Sequence, residues 1–401
     1  MKENLSMHDR AQLTEADQVE ALRAQQHALR DVSKTYHPSE PFVFNLGPQH
    51  PSTHGVFRAH MHMDGEHVLA VDNVIGYLHR GIEKIAEQKT WAQFTPYTDR
   101  LDYLSPILNE WGYLMGVEKL MNLTIPERGE YVRVILGELQ RVANHLVYMA
   151  SFALDLNGYT AWMYMFRERE KILDILEAYS GSRMNNHALR IGGAPTPLPE
   201  GMEGMITRWL DGFPAAMDDF ANVVHGNEIF QARAKNVGII DVDTCMKYSV
   251  GGANLRAAGK PADLRKDRPY SVYDRFDFKV ITRENGDSFD RYMVRFYEME
   301  ESCKIIRQAL DQMPKEGPTM AKVPKMIKVP KGEVYAQIEG SKGWLGYYIV
   351  SDGGMKPSRI RIHGPSVMSL FAIPAIVDGM LLQDYISTLA SIDIVLGEVD
   401  R

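Results

Sequence analysis

The chain has 401 residues, with 45 Lys and Arg against 52 Asp and Glu, a formal net charge of −7. Hydrophobic residues make up 45% and charged residues 24%, which excludes collagenous, disordered and disulfide-scaffold classes. The acidic balance and the lack of a basic patch interleaved with aromatics argue against nucleic acid as a partner.

The longest apolar runs, Leu146 to Leu156 and Leu370 to Leu382, are broken by Ser151 with Asp155 and by Asp378, so no bilayer span is predicted. The first 32 residues carry Glu3, Asp9, Glu15, Asp17, Glu20 and Asp31, a pattern of neither a secretory signal nor an organelle transit peptide. The chain is therefore expected to stay where it is made. Cys245 and Cys303 form no C-x-x-C pair, which argues against disulfides, Cys-rich zinc sites and an iron–sulfur cluster held by this chain alone.

In chain order, residues 1 to 40 read as an extension with a surface helix from about Ala11 to Val32, joined to the rest by Pro38 and Pro41. Short strands follow from Phe42 to Ile75, with Asp64-Gly65 as a hairpin signal before His67 to Val74. The chain then turns helical from Leu101 for about two hundred residues. Ser105-Pro106 predicts an N-cap and first helical residue, placing Tyr103 just before a helix to about Met121; Pro106 could instead kink a helix already under way.

The seam Leu139, Val142, Leu146, Met149, Ala153, Leu156 has packed-helix spacing and stops at Asn157-Gly158. Further helices are predicted at Thr160 to Tyr179, Met202 to Asn222 and Phe289 to Gln312, with close turns at Gly192-Gly193 and Gly251-Gly252. Met313 to Lys331, with four prolines and five lysines, is predicted to be an exposed connector, either solvated or facing an acidic partner or lipid headgroups. Glu333 to Ile338, Leu345 to Val350 and Arg359 to Ile362 read as strands, and Gly397 to Arg401 as a polar tail.

Three places stand out as candidates for chemistry. Gly47-Pro48-Gln49-His50-Pro51-Ser52-Thr53-His54-Gly55 has the rigid backbone and projecting polar groups of a binding loop, or is a hairpin tip whose histidines bond locally. Asp155 lies on an apolar helix, where a carboxylate needs a His or Arg partner unless the helix end faces solvent. Tyr103 is either a packed ring or a phenol donor to a carbonyl-type oxygen. His60 and His62 share a strand face without a third ligand, so no metal set is identified. Nothing matches a dinucleotide, Walker or G-x-S-x-G motif. Arg80 and Arg190, beside tight turns, read as ion-pair partners or functional cations. The residues alone give a soluble, enzyme-sized α+β protein with a His/Tyr/Asp set and no cofactor site of its own.

Seven strings together resemble one family: GPQHPSTHG at 47–55, YLHRGIEK at 77–84, YTDRLDY at 97–103, RVILGELQRVANHL at 133–146, FRERE at 166–170, LGYYIVSDGG at 345–354 and GEVDR at 397–401. The chain from about residue 41 is similar to the quinone-site, 49 kDa-type subunit of bacterial respiratory complex I, the proton-translocating NADH:quinone oxidoreductase. The resemblance implies a fold like the large subunit of nickel–iron hydrogenases, a helical bundle with antiparallel β segments at both ends. The expected division is an extension at 1–40, an α/β segment with the quinone loop at 41–100, the bundle at 101–312, the connector at 313–331 and a β segment with tail at 332–401. A working hydrogenase is excluded, because its nickel needs two C-x-x-C thiolate pairs.

The same resemblance implies that His54 and Tyr103 hydrogen-bond the quinone headgroup and that Asp155 pairs with His54. It places Arg80 beside the terminal 4Fe–4S cluster, which a partner subunit holds; further clusters and flavin belong to other partners. Another expected partner is the membrane-arm subunit at the quinone entrance, on the cytoplasmic side of the cell membrane. One departure is Asn185, which stands where the family has a histidine that tunes the cluster; His187 follows two residues later.

Overall fold

The computed structural model describes residues 41–401; the helix expected at Ala11 to Val32 lies outside them. The first described segment folds as strands β1 (Phe42–Leu46), β2 (Gln49–His50), β3 (Gly55–Val56), β4 (Arg58–Asp64) and β5 (His67–Val74). Asp64 pairs with His67 around Gly65, which has a φ of 58°, so the Asp-Gly hairpin forms as expected. The four-stranded antiparallel sheet runs β1-β4-β5-β9, its last strand contributed by residues Met380–Leu381 far along the chain.

Helices α1 (Ile82–Ala86) and α2 (Trp91–Thr98) precede the predicted helical start. The signal for α2 was present as Thr90 and Gln93, which form a reciprocal capping box. The bundle proper is α3 (Pro106–Leu120), α4 (Glu127–Asp155), α5 (Tyr159–Ser180), α6 (Met202–Val224) and, later in the chain, α11 (Ser288–Gln312). Ser105 holds the N-cap position of α3, but its hydroxyl does not cap; it meets the Ser341 hydroxyl instead. The α4 seam stops where predicted, with Asn157 left-handed at φ 66°.

Helix α4 is the axis of the molecule. It packs against α3, α5 and α11, so its side chains from Tyr131 to Leu146 are all buried, those of Arg133, Glu138 and Arg141 included. Between α6 and α11 the predicted helical run gives way to the short helices α7 (Glu228–Ala234), α8 (Val242–Lys247), α9 (Ala253–Ala257) and α10 (Leu264–Asp267) joined by irregular backbone.

The three-stranded antiparallel sheet β6 (Gly332–Glu339), β7 (Trp344–Ser351) and β8 (Arg359–His363) lies on α3. Gly112 and Gly116, one turn apart on α3, make room for it: a Cβ at Gly116 would stand 2.7 Å from Ile349 and one at Gly112 3.0 Å from Tyr347. The chain ends with α12 (Pro365–Ala372), strand β9, α13 (Leu382–Ser391) and α14 (Leu396–Asp400).

Two expectations change. The 313–331 connector has no helix or strand and its five lysines are exposed, but it is not wholly a solvated loop. Met313, Thr319 and Val329 are buried, and Ala194 N–H donates to Thr319 O at 3.0 Å while Ala321 N–H donates to Gly192 O at 2.8 Å. The close turn at Gly192-Gly193 thus serves to receive this strap. The polar tail expected at Gly397 to Arg401 is helical to Asp400, and Gly397, Glu398 and Asp400 are buried. Asp400 accepts from Gly76 N–H at 2.8 Å and Leu78 N–H at 2.7 Å, stitching the chain end to the turn before α1. No helix of the described residues is long and apolar enough to cross a membrane.

Candidate functional site

The loop after β1 is shaped by its own backbone groups. At Gly47 (φ 89°) a Cβ would lie 2.2 Å from Phe57 O, so only glycine fits. His50 accepts from Ser52 N–H through Nδ1 at 3.2 Å, and the Thr53 hydroxyl, fully buried, lies 2.7 Å from His50 O and 3.0 Å from Gly55 O. The local-bonding reading therefore holds for His50. His54 is different: it adopts a left-handed backbone (φ 51°) after the 3-10 turn Pro51–Thr53, and its ring reaches away to another element.

That element is the C-terminal end of α4. His54 Nε2 lies 2.9 Å from Asp155 Oδ2, with the two side chains 19% and 12% exposed. Neither atom has an aligned hydrogen bond, so the two groups meet closely with bonding capacity to spare, an ion pair whenever His54 carries a proton. The loop is held in place by packing of its 3-10 turn on α13 and of Gly55 on Leu396.

Tyr103 lies in the turn between α2 and α3. Its neighbours lock that turn: Leu104 N–H donates to Asp102 Oδ1 at 3.1 Å, and Gln140 of α4 donates to Leu104 O at 2.8 Å. The Tyr103 hydroxyl itself has no hydrogen-bond partner among the described residues. Burial and the Asp102 carboxylate push its phenol above the usual range, with Lys342 and Arg80 opposing, so it stays a protonated donor at neutral pH. No hydrogen bond joins Tyr103 to His54; His54 is brought to Asp155, and Tyr103 lies in the field of Arg80 and Lys342.

Arg80 donates to Arg100 O at 2.7 Å and Gly397 O at 3.0 Å, while Arg401 O receives the N–H groups of Arg80 and Gly81. Burial lowers its pKa, and its charge is held by carbonyls rather than by a carboxylate salt bridge. Asn185 has a left-handed backbone (φ 51°) and a buried Oδ1 without a hydrogen bond. His187 (φ 39°) turns its Nδ1 to Glu110.

Sequence reading missed the buried charges beside these residues. Asp102 is fully buried and raised by that burial; Lys342 lies 2.7 Å from Asp393 Oδ1 and reaches Asn144 at 2.9 Å. Glu398, accepting from Ser366 N–H at 3.0 Å, is pushed up to about 7 by burial and by Asp102. The one available signal was charge inside apolar helix patterns, as at Glu110 and Glu138.

Comparison with known proteins decides the family. The family described as respiratory-chain NADH dehydrogenase, 49 kDa subunit, matches residues 155–328 and 320–401. The chain belongs to this family. It is 55% identical over 363 residues to an NADH-quinone oxidoreductase subunit of Clostridium beijerinckii, covering 90% of this chain and 98% of that one. The equivalent NADH-quinone oxidoreductase subunits of Desulforamulus reducens and Carboxydothermus hydrogenoformans are 52% and 50% identical over 362 residues, each covering 90% of this chain and 99% of the relative. The chain is thus a complex I subunit, and the mixed helical and antiparallel architecture is the α+β fold expected of one.

Proposed function

We propose that this chain is where quinone is reduced in a proton-translocating NADH:quinone oxidoreductase, with His54 and Tyr103 holding the headgroup. The observation that carries the reading is the His54–Asp155 contact at 2.9 Å between a rigid loop and a helix end, which lacks an aligned hydrogen bond. The unpartnered Tyr103 hydroxyl supports it. Electrons start from NADH and pass through flavin and iron–sulfur clusters of partner subunits, the last of them near Arg80. As negative charge builds on the quinone oxygens, the Tyr103 phenol and the His54 imidazole donate to them and supply protons.

Asp155 is the positioning partner of that histidine. Unit charges about 4 Å apart interact by about 4 kcal/mol at an effective dielectric of about 20, so proton loss from His54 changes the pair enough to bias a conformational step toward the membrane arm. The membrane-arm subunit at the quinone entrance and the cluster-bearing subunit are the partners this reading needs, on the cytoplasmic side of the cell membrane.

Asn185 fits a menaquinone-type acceptor. A protonatable histidine beside a cluster raises its potential as it gains charge, and an amide cannot. The terminal cluster is then of lower, less pH-dependent potential; an EPR redox titration at pH 6 and 8 showing a proton-coupled slope would rule this out.

The test of the whole reading is Tyr103→Phe in membranes carrying the assembled complex. Inhibitor-sensitive quinone reduction falls at least tenfold while artificial-acceptor activity at the flavin is unchanged. Unchanged quinone reduction would leave the chain a docking subunit and withdraw the site.

A further inference from the structure

A second cluster of chemistry-bearing side chains lies apart from the His54–Asp155 pair. Asp99 follows α2, Glu110 is in the second turn of α3, and His187 lies in the loop after α5. One ligand atom from each comes within 4.8 Å of the other two.

Asp99 is the unusual member. Its side chain is fully buried, and its carboxylate oxygens receive no N–H or hydroxyl donor; the side chain it meets is the Glu110 carboxyl, which can share a hydrogen bond with it only through a proton. The nearest cation, Arg100, stands 3.9 Å from Oδ2, is about half exposed, and gives a hydrogen bond to Pro96 O at 2.5 Å. Glu110, equally buried, takes the Leu189 N–H on Oε2 at 3.0 Å and turns Oε1 to His187 Nδ1. Arg190, another cation nearby, donates through Nη1 to His187 O at 2.8 Å and Leu189 O at 2.7 Å and bonds neither carboxylate, although its charge partly offsets the burial of Glu110.

Two buried carboxylates therefore face one another without a donor between them. That arrangement is costly unless a cation or a proton occupies the gap. Burial raises Asp99 to about 9 and Glu110 to about 8, so a shared proton is one way to relieve it.

The donor set favours a metal. Two carboxylate oxygens and one imidazole nitrogen make a three-ligand site with a fourth position left open, and imidazole selects zinc-like ions over magnesium or calcium. The His187 side chain, 27% exposed, gives such an ion a way in. We propose that Asp99, Glu110 and His187 bind one zinc-like divalent transition-metal ion. The ion neutralises both carboxylates and ties the end of α2, the start of α3 and the 181–201 loop together. It is separate from quinone reduction, so it stands or falls independently of that assignment.

The test uses the purified complex, dialysed against Zn2+ and then against buffer, with zinc measured by mass spectrometry. His187→Asn is the main variant, because asparagine tolerates the left-handed backbone there and removes the imidazole. Asp99→Asn is the second, keeping volume while removing charge. The wild-type complex retains one more zinc per copy of this chain than either variant, and a tenfold excess of Mg2+ does not displace it. Equal zinc in the wild type and in whichever variant assembles overturns the proposal, and a wild-type complex that retains none does so by itself; the shared proton is then what relieves Asp99 and Glu110.

Discussion

Two sets of charges inside this molecule behave in opposite ways. Around the middle of α4, Glu138, Arg141, Arg256, Arg265, Glu298 and Glu339 are all buried, and each carboxylate is fully used. Glu138 accepts from Arg141, Arg265, the Tyr273 hydroxyl at 2.6 Å and the Ser302 hydroxyl at 2.7 Å. Burial alone would raise it, yet Arg141 and Arg265 hold it below the ordinary carboxylate range. Glu298 bridges Arg256 at 3.0 Å and Arg265 at 2.7 Å, and meets His145 at 3.2 Å. At the end of the same helix Asp155 has one close contact, with His54, and no aligned hydrogen bond.

The difference separates holding from reacting. A satisfied network has no capacity left for a substrate and fixes one arrangement of α4, α10, α11 and β6. An under-satisfied pair between two elements can exchange protons and partners at little structural cost. Substitutions should therefore affect assembly strongly in the first set and barely in the second, with the order reversed for quinone chemistry.

The largest loss of stability is expected for Arg265→Met, which leaves Glu138, Asp263 and Glu298 buried with too few cations. Removing one partner of a buried network costs about 3–5 kcal/mol, so little assembled complex should be seen on native gels. Tyr273→Phe removes one donor from Glu138 and should cost about 1–3 kcal/mol, read as a lower inactivation temperature with quinone reduction per assembled complex unchanged.

Glu398 gives a smaller effect with a definite sign. Its folded pKa is raised to about 7, so between about pH 4.5 and 7 the folded chain holds a proton that the unfolded chain has lost. Stability contributed by this group therefore falls as pH rises through that window. Glu398→Gln, which keeps an acceptor for Ser366 N–H, should flatten the decline of the inactivation temperature from pH 4.5 to 7; an unchanged slope would show that another group controls it. Tyr103→Phe should have the smallest effect on stability, within about 0.5 kcal/mol, since its hydroxyl bonds to no described residue.

Much of the frame was legible because periodicity reports packing. The α4 seam, the stop at Asn157 and the Asp64-Gly65 hairpin follow from local chemistry. Helix α2 was missed although its capping box was readable, and the C-terminal segment was misjudged because its polar side chains bond to remote backbone at Gly76, Leu78 and Ser366. Pairing across distance is the general gap. Asp155 announced that it needed a partner, but only the family resemblance pointed to His54. Nothing local joins Asp99, Glu110 and His187, since three separate segments supply them.

The most direct measurement compares His54→Ala and Asp155→Asn with the wild type for inhibitor-sensitive quinone reduction, alongside flavin-site acceptor activity and the amount of assembled complex. The account predicts at least a tenfold loss of quinone reduction in His54→Ala and a smaller loss in Asp155→Asn, with the other two readouts at wild-type levels. Wild-type quinone reduction in both variants would contradict it and show that the 2.9 Å pair is structural.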